Sequence, residues 1–430
     1  MKCVIIAGGK GTRLGRADIP KPMARVGGVP IIEHQIRLAR RYGYRDIIIL
    51  AGYLAEVMID YLGDGSNYDV RIEYLVEEKP LGTGGALLQL MGKLDDDFLV
   101  LYGDVFVDMN LRAFEEVHRS SPAIGSLVVH PNSHPYDSDL VEVDETWTVR
   151  AFHPKPRDKN RFYRNLVNAA LYMLNPEILH FIPRDRPSDL GKDLFPAVAA
   201  AGKTLRAYST PEYLKDMGTP ERLAEVEQAF AAKKPQRRNL EFSQKCIFLD
   251  RDGIINTEAG GVLRPESFEL TSDIVPALRR INSSDFLAII VTNQPFIAKG
   301  MMTISDLEQI HAKMDTLLGE QGVYVDGLYY CPHHPETGWD GEIAELKVVC
   351  ECRKPAPGMI LRAAQAFNVD LAQSYIIGDN VRDTRAGRNA GLCSSLLIAP
   401  AEAEPESGAD YDRRFASVPV AVDAILGGAL

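Results

Sequence analysis

Two aspartates, Asp250 and Asp252, stand two positions apart in the segment KCIFLDRDGIIN. The apolar run before them, Cys246 to Leu249, is typical of a parallel strand buried on both faces, and chemistry in open α/β sheets takes place where such strands end. The turn-forming Gly253 lets both carboxylates enter one crevice, where their repulsion calls for a cation. We therefore predict a Mg²⁺ site in which one carboxylate attacks phosphorus, while the other, partly protonated, hands a proton to the leaving oxygen. The alternative is a strand that ends in a solvated acidic turn.

A second group of chemically capable residues follows the apolar run Cys3 to Ala7, in the segment AGGKGTRLGRADIPKPM. Its glycines allow backbone N–H groups to approach an anion closely, and its basic residues Arg13 and Lys21 add charge that can hold a triphosphate. The prolines stiffen the returning chain and bring Lys21 over the same crevice. The glycines concerned are Gly8, Gly9 and Gly11.

The pattern GGxGTRL followed by PKP resembles the sugar-1-phosphate nucleotidyltransferases, also called sugar-nucleotide pyrophosphorylases. The resemblance implies that the glycines, Arg13 and Lys21 bind the nucleoside triphosphate, and that the loop EKPLGTGG, which contains Gly82, binds base and ribose. It also pairs two aspartates that spacing alone could not pair. Asp104 ends the fourth predicted strand, Asp216 precedes a helix that Pro220 would open, and both are implied to bind Mg²⁺.

The same resemblance places three residues beside the sugar phosphate: Lys155, Asn168 and Lys192. At Pro154 the chain departs from the family, which has a glutamate there that contacts a sugar hydroxyl. The alternative for Asn168 and Lys192 is an asparagine in a turn and a solvated lysine.

The elements that position these residues alternate regularly in the first half, which predicts a doubly wound, Rossmann-like parallel sheet. After Ala231 the apolar pattern lapses into basic and polar residues with a proline, as expected of a linker. We predict domains at 1–232 and 244–430, joined by a linker at 233–243. Helical periodicity in the first half covers 31–42, 55–62 and 85–91, and strand patterns cover 47–51, 71–76, 98–102 and a hairpin at 140–150.

The second half resembles the haloacid dehalogenase-like phosphatases, and among them the branch of histidinol-phosphate and heptose-bisphosphate phosphatases. This implies a second doubly wound α/β sheet, with Asp250 as nucleophile and Asp252 as acid/base. It further implies that Thr292 and Lys354 contact the transferring phosphoryl group. The loop IIGDNVRD, with Gly378, Asp379 and Asp383, completes the Mg²⁺ site formed by Asp250 and Asp252, Asp379 being the direct ligand, and Asn293 and Arg353 are assigned to the substrate.

Two segments depart from this branch near the expected substrate. The loop NQPFIAKG has Pro295 and Phe296 where the branch has serine and glycine. Gly261 stands where the branch has a tyrosine, so one aromatic contact is expected to be missing.

Three cysteines, Cys331, Cys350 and Cys352, lie close together around the motif CPHH. With one histidine they supply four ligands for a tetrahedral, structural Zn²⁺. Either histidine fits by spacing, and the resemblance implies His333 rather than His334. The alternative is free thiols packed under a loop.

Size and composition limit the functions that the chain can have. A chain of 430 residues exceeds one core and predicts two domains. The net charge of -11 argues against nucleic acid as a partner. The N-terminus lacks the apolar stretch of a signal peptide, and no stretch approaches the ~20 residues of a membrane span, so we expect a cytoplasmic protein without a membrane partner. The sequence does not indicate an oligomeric state.

The two resemblances together imply a bifunctional enzyme of nucleotide-sugar synthesis, of the kind that supplies lipopolysaccharide or S-layer glycans. The phosphatase would remove the C7 phosphate of D-glycero-D-manno-heptose 1,7-bisphosphate, and the transferase would join the heptose 1-phosphate to a nucleotide, GMP from GTP. The small-molecule partners are then heptose phosphates and a nucleoside triphosphate. The alternatives are a mannose-1-phosphate guanylyltransferase fused to a histidinol-phosphatase-like enzyme, or a chain in which one half is a ligand sensor without turnover.

Overall fold

The computed structural model describes residues 1–9, 19–257, 260–399 and 410–430. They divide into two compact units. Unit 1 comprises Met1–His130, Ser138–Arg157 and Leu166–Asn239, and unit 2 comprises Pro131–Asp137, Asp158–Asn165 and Leu240–Leu430. The main division, between Asn239 and Leu240, falls within the linker predicted at 233–243. Unit 2 also takes two short segments that precede this linker.

The strands and helices of unit 1 follow one another along the chain. The strands are β1 (Lys2–Ala7), β2 (Arg25–Val26), β3 (Val29–Pro30), β4 (Asp46–Ala51), β5 (Arg71–Val76), β6 (Phe98–Tyr102), β7 (Val105–Asp108), β8 (Gly125–His130), β9 (Leu140–Val143), β10 (Val149–His153), β11 (Val167–Leu174), β12 (Leu205–Ser209) and β13 (Tyr213–Asp216). The helices are α1 (Ile31–Arg41), α2 (Ala55–Leu62), α3 (Gly82–Ala86), α4 (Leu111–Arg119), α5 (Phe195–Ala200), α6 (Pro220–Ala231) and α7 (Lys234–Arg238).

The central strand of unit 1 is β1, which pairs in parallel with β4 and β6. Strand β5 extends the parallel part beyond β4, while on the other side β11 pairs antiparallel with β6. Cys3, Val4 and Ile5 of β1 are fully buried. Burial on both faces explains why this strand is a continuous apolar run, since each such side chain contributes roughly 1.5–3 kcal/mol.

The predicted helix at 85–91 begins earlier, at Gly82, and continues as a 3₁₀ turn over Leu87–Leu90. The predicted hairpin at 140–150 is the antiparallel pair β9 and β10. The α/β fold class predicted from the sequence is confirmed, with antiparallel strands added to the parallel centre.

Unit 2 is built on a parallel sheet. Its strands are β14 (Lys245–Leu249), β15 (Phe286–Asn293), β16 (Gly327–Cys331), β17 (Tyr375–Gly378), β18 (Ser394–Ile398) and β19 (Arg413–Phe415), and its helices are α8 (Ile274–Ser283), α9 (Ile304–Glu320), α10 (Gly358–Phe367), α11 (Val381–Ala390) and α12 (Val418–Leu426). Among the described residues the strand order is β16, β15, β14, β17, β18, β19. Strand β14 is therefore central, and its carboxyl end meets those of β15 and β17 at one edge.

No helix in the described ranges combines the length and the apolar character that crossing a bilayer requires.

Candidate active sites and metal centre

Asp250 follows the last residue of β14, at the carboxyl edge of the sheet of unit 2. Its backbone N–H donates to the carbonyl of Ile377 in β17 at 3.0 Å, so the residue is held in line with the sheet although the strand has ended. Its side chain is buried, and one of its oxygens accepts the backbone N–H of Arg251 at 2.7 Å. The apolar run before it thus delivers a carboxylate to the sheet edge, as predicted.

Three carboxylates meet at this edge. Asp250, Asp379 and Asp383 each offer an oxygen, and these oxygens lie within 4.8 Å of one another. Asp379 comes directly after β17, and Asp383 lies in the first turn of α11. Gly378 packs against the side chain of Asp383 so closely that a β-carbon there would overlap it. Oxygen ligands in such a group suit Mg²⁺.

Lys354 lies among these carboxylates and is buried. Its Nζ is 2.8 Å from Oδ1 of Asp250 and 2.7 Å from Oδ1 of Asp383, and it donates to the carbonyl of Val291 at 2.8 Å. Burial raises the pKa of Asp250 to about 7, and the charge of Asp383 adds to this rise against the opposing effect of Lys354. One ammonium therefore does not fully offset the repulsion, and a divalent cation would relieve it.

The side chain of Asp252 lies outside this carboxylate group. It accepts hydrogen bonds from Nη2 of Arg251 at 2.9 and 3.0 Å, from Asn256 at 3.0 Å and from Gln294 at 2.9 Å. Burial alone would raise the pKa of Asp252, but these donors, Arg251 foremost, hold it below its ordinary value. Among the described residues, the carboxylate group that could share one cation thus includes the side chain of Asp383, which the sequence analysis placed in the loop completing the site, and not the side chain of Asp252. The same donors favour the ionised form of Asp252, whereas we expected it to be partly protonated.

Thr292 and Asn293 end β15 beside Asp250. Thr292 is buried, and its hydroxyl accepts the side-chain amide of Gln294 at 2.9 Å. Asn293 exchanges two hydrogen bonds with the backbone of Lys354, at 3.1 and 3.0 Å, and so fixes the loop that presents this lysine. Nη1 of Arg353 donates to the carbonyl of His333 at 3.2 Å.

Three thiols and one imidazole converge between the last residue of β16, Cys331, and the start of α10. The sulfur atoms of Cys331, Cys350 and Cys352 lie 3.1–3.6 Å apart, and Nδ1 of His333 lies 3.6 and 3.2 Å from the sulfurs of Cys331 and Cys352. His334 instead packs edge-on against Trp339, with ring centroids 5.0 Å apart. The donor set, soft and nearly equidistant, fits a tetrahedral Zn²⁺.

In unit 1 the two predicted metal-binding aspartates are neighbours in space. Strands β7 and β13 pair antiparallel, which sets Asp216 opposite Val105, and the N–H of Met217 donates to the carbonyl of Asp104 at 3.0 Å. Nζ of Lys21 lies 2.9 Å from Oδ2 of Asp104. Asp216 accepts two bonds from Arg222, at 2.8 and 2.6 Å. Arg222 lies in the first turn of α6 and was not among the predicted residues.

The loop around Gly82 packs against residues 188–192. A β-carbon on Gly82 would overlap the carbonyl oxygen of Ser188, which accepts the N–H of Gly84 at 2.8 Å. Oδ1 of Asp189 in turn accepts the N–H of Lys192 at 3.1 Å. The predicted nucleotide loop and the predicted sugar-side lysine are thereby brought to one place.

Of the other residues predicted in unit 1, Asn168 lies beside Gly191, whose β-carbon would be 3.7 Å from Nδ2 of the asparagine. Lys155 donates its backbone N–H to Asp139 at 3.1 Å. Gly8 is the first residue after β1 and is in tight contact with Gly52, and Gly9 comes next in the chain. The predictions for Gly11 and Arg13 lie outside the described residues.

Comparison with known proteins relates the two parts of the chain to two families. The nucleotidyl transferase family profile matches residues 2–233, and a HAD-hydrolase-like profile matches residues 351–421. A D-glycero-beta-D-manno-heptose-1,7-bisphosphate 7-phosphatase from Yersinia pestis is 39% identical over 186 residues, which is 42% of this chain and 97% of that protein. The enzyme of the same name from Escherichia coli K12 is 39% identical over 172 residues, 39% of this chain and 88% of that protein.

Among solved structures, HddC from Yersinia pseudotuberculosis, in complex with GMP-PN, is similar, with 25% identity, a TM-score of 0.46, and coverage of 53% of this chain and 99% of that one. The resemblances inferred from the sequence are confirmed by the family profiles and the sequence relatives. The chain is a bifunctional enzyme that belongs through residues 2–233 to the nucleotidyl transferase family and through its C-terminal part to the HAD-like family of heptose-bisphosphate phosphatases.

Proposed function

We propose that the C-terminal part removes the C7 phosphate from D-glycero-D-manno-heptose 1,7-bisphosphate and that the N-terminal part couples the resulting heptose 1-phosphate to GMP from GTP, with release of pyrophosphate. The observation that carries this proposal is the fusion itself. The relatives of the phosphatase part are named for an activity whose product is a sugar 1-phosphate. A sugar 1-phosphate is the substrate class of the sugar nucleotidyltransferases that residues 2–233 resemble. In this proposal residues 1–232 and 244–430 supply the two activities.

In the phosphatase, an oxygen of Asp250 attacks phosphorus and the bond from phosphorus to the sugar oxygen breaks. Asp252 gives a proton to that oxygen, and the heptose 1-phosphate leaves. Water then attacks the phosphoaspartate, Asp252 takes the proton of the water, and phosphate leaves. The donors around Asp252 favour the ionised form that this second step needs, and the proton taken from the water is the one that Asp252 gives to the sugar oxygen in the next turnover.

Lys354 and Thr292 border the position of the phosphoryl group in this scheme. The ammonium of Lys354, 2.8 Å from Asp250, faces the negative charge that builds up on the oxygens of phosphorus. Asn293 keeps that lysine in place through its backbone. Asp250, Asp379 and Asp383 would hold Mg²⁺, which when bound offsets the charge of the phosphate and of the carboxylates.

In the transferase, no covalent intermediate with the protein is needed. The phosphate of the sugar attacks the α-phosphorus of the triphosphate, and the bond to pyrophosphate breaks. Asp104 directly precedes β7 and Asp216 ends the neighbouring strand β13, and the two would hold the Mg²⁺ that screens the triphosphate. Lys21, now paired with Asp104, adds positive charge at the same place. We propose that Gly8, Gly9, Gly11 and Arg13 contact the triphosphate, Gly82 the nucleoside, and Lys155, Asn168 and Lys192 the sugar phosphate.

Zinc has a structural role in this proposal. Cys331, His333, Cys350 and Cys352 use all four positions of a tetrahedral ion, so no position is left for a substrate. Cys352 immediately precedes Arg353 and Lys354 in the chain, so the metal would fix the loop that carries both cations.

The experiment uses the full chain with each anomer of heptose 1,7-bisphosphate and a mixture of the four nucleoside triphosphates. We expect phosphate, pyrophosphate and a GDP-heptose. Use of ATP, CTP or UTP in place of GTP would refute the guanine assignment, and hydrolysis of histidinol phosphate in preference to the heptose would refute the phosphatase substrate.

Two variants serve as controls for each other. Asp250→Asn should lose phosphate release by about 10³-fold or more, yet still form nucleotide sugar from supplied heptose 1-phosphate. Asp104→Ala should release phosphate normally and form no nucleotide sugar. If either change leaves the rate of its own part intact, that part does not work as proposed.

A further inference from the structure

The guanidinium of Arg251, next to the nucleophile in the chain, has no exposure to solvent. Its Nη2 donates to both oxygens of Asp252, while its Nη1 points the other way, 3.4 Å from Nε2 of His311. Because a guanidinium is rigid and planar, the position of Nη1 of Arg251 determines the plane in which Nη2 holds the carboxylate of Asp252. Arg251 thus connects His311 to Asp252.

His311 on α9 is also fully buried. Because Arg251 always carries its protons, Nε2 of His311 must accept, which places the proton of the neutral ring on Nδ1. That nitrogen faces Oε1 of Glu308, one turn earlier on the helix, at 3.9 Å. The imidazole thus lies between Arg251 and Glu308, charged groups of opposite sign, with Nδ1 beyond hydrogen-bond distance of the carboxylate.

Glu308 is held in turn by Arg164. Nη1 of Arg164 donates to Oε2 of Glu308 at 2.7 Å, and its Nε donates to Oδ2 of Asp315 at 2.8 Å. The backbone N–H of Asn165 reaches the same oxygen of Asp315 at 3.1 Å. Positive and negative groups alternate from Asp315 inward to Asp252.

Arg164 does not come from the C-terminal part of the sequence. It lies in Asp158–Asn165, one of the two segments of unit 2 that precede the linker, and within residues 2–233, which match the nucleotidyl transferase family. The neighbouring Tyr163 forms two hydrogen bonds with Thr316 of α9, at 3.0 and 3.2 Å, which keep the segment in register with the helix.

We propose that Arg164 is a positioning residue of the phosphatase, which through Glu308, His311 and Arg251 holds the carboxylate of Asp252 in its working orientation. This inference rests on the proposed acid/base role of Asp252. Arg164 does not touch the substrate. Small misalignment of an acid/base group lowers the rate of the chemical step more than it lowers substrate binding.

The experiment measures kcat and KM for phosphate release by full-length variants, with nucleotide-sugar formation from supplied heptose 1-phosphate as a second readout. Arg164→Gln removes the outer cation. His311→Leu removes the acceptor for Arg251, whereas His311→Gln keeps an acceptor oxygen near the position of Nε2. Arg279→Gln, a change at an exposed arginine that bonds the carbonyl of Gln321, is the matched control.

We expect Arg164→Gln and His311→Leu to lower kcat for phosphate release by about tenfold with KM within about twofold. His311→Gln should stay close to wild type, and all four variants should form nucleotide sugar at the wild-type rate. The double variant Arg164→Gln/His311→Leu should be no slower than the slower single one, because both changes break the same connection.

Two results would overturn the inference. One is a kcat for phosphate release of Arg164→Gln that lies within twofold of the kcat of Arg279→Gln. If His311→Leu does not fold, the Arg164→Gln variant alone decides. The other is an equal loss in His311→Gln and His311→Leu, which would mean that packing and not the acceptor matters. Asp252→Asn distinguishes a failure of the proposed acid/base role from a failure of the positioning role. If Asp252→Asn keeps phosphate release, the acid/base role itself fails. If Asp252→Asn is inactive while Arg164→Gln is normal, only the positioning role fails.

Discussion

The ring of Phe296 lies against Gly261, so that a β-carbon on this glycine would overlap Cζ of Phe296. Both residues are among the positions where, in the sequence analysis, the chain departs from the pattern expected of the heptose-bisphosphate and histidinol-phosphate phosphatases. That pattern has a glycine in place of Phe296 and a tyrosine in place of Gly261. The two departures are spatially linked, because the aromatic ring of Phe296 occupies the space beside Gly261.

Gly261→Ala should destabilise unit 2, and Gly260→Ala provides the control. Both glycines have a positive φ, +102° and +75°, so both changes carry backbone strain, but a β-carbon on Gly260 meets none of the described atoms within 4 Å. We expect Gly261→Ala to cost about 1–3 kcal/mol more than Gly260→Ala, the usual cost of overpacking. Thermal unfolding of the full chain measures the difference. Adding Phe296→Ala should recover part of the loss, and equal unfolding temperatures of the two glycine variants would contradict the packing.

Gly82→Ala tests the nucleotide loop of unit 1 in the same way. Its φ is +77°, and a β-carbon would overlap the carbonyl of Ser188, whereas Gly92, with φ +73°, has none of the described atoms within 4 Å of its position. We expect Gly82→Ala to lower nucleotide-sugar formation by about tenfold or more, since displacement of a binding loop by about 1 Å has such effects. Gly92→Ala should lower it much less. Phosphate release should be unchanged in both, and a loss of both activities would point to general unfolding.

Lys354→Met should lower phosphate release strongly and also destabilise the fold. It leaves Asp250 and Asp383 facing each other without the ammonium that now lies 2.8 and 2.7 Å away. Breaking a buried pair by removing one partner costs about 3–5 kcal/mol. Lys313→Met, at a half-buried lysine that donates to the carbonyl of Pro265, is the control. Because Mg²⁺ would screen the two carboxylates, its addition should stabilise Lys354→Met more than the control, and an equal effect would argue against the metal group.

Cys350→Ser tests the metal centre. The purified protein should contain about one zinc ion per chain, as a closed set of four ligands requires, and the variant should lose most of it. Cys393→Ser changes an exposed cysteine outside the group and should keep the metal. Elemental analysis gives the zinc content, and unfolding temperature gives its contribution to stability. A wild-type chain free of zinc after purification without chelators would contradict the assignment.

Stability at acid pH should depend on His311. Burial lowers the pKa of His311 to about 4, below the value near 6.5 in an unfolded chain. The unfolded state therefore binds more protons between these values, so stability falls as the pH drops from about 6.5 towards 4. We expect the wild type to lose on the order of 1–2 kcal/mol more than His311→Gln between pH 7 and pH 5. Denaturant unfolding at the two pH values measures this, and parallel losses would show that His311 is exposed or charged in the folded chain.

The sequence predicted best what is local in the chain. The apolar run that ends at Asp250 and the cysteine motif each carry their signal within a few residues. The proximity of Asp104 and Asp216 came from family resemblance, and the pairing of β7 with β13 now gives its physical cause.

The environment of Asp252 could not be predicted in this way. The direction of its side chain, towards the metal group or towards Arg251, depends on the donors Gln294 and Asn256. It also depends on His311, which contacts Arg251 from 60 positions away in the sequence. No spacing rule connects such residues. The segment with Arg164 gave no signal either, since its sequence falls among the strands of unit 1.

Two short segments that precede the linker, Pro131–Asp137 and Asp158–Asn165, belong to unit 2, and this affects how the protein can be divided. A fragment that starts at residue 244 would carry Glu308 and Asp315 but lack the arginine that faces them. Such a fragment would expose paired acids on α9 to water, and its turnover would understate that of the intact enzyme. The two units are thus interleaved along the chain, and no single cut in the sequence separates them.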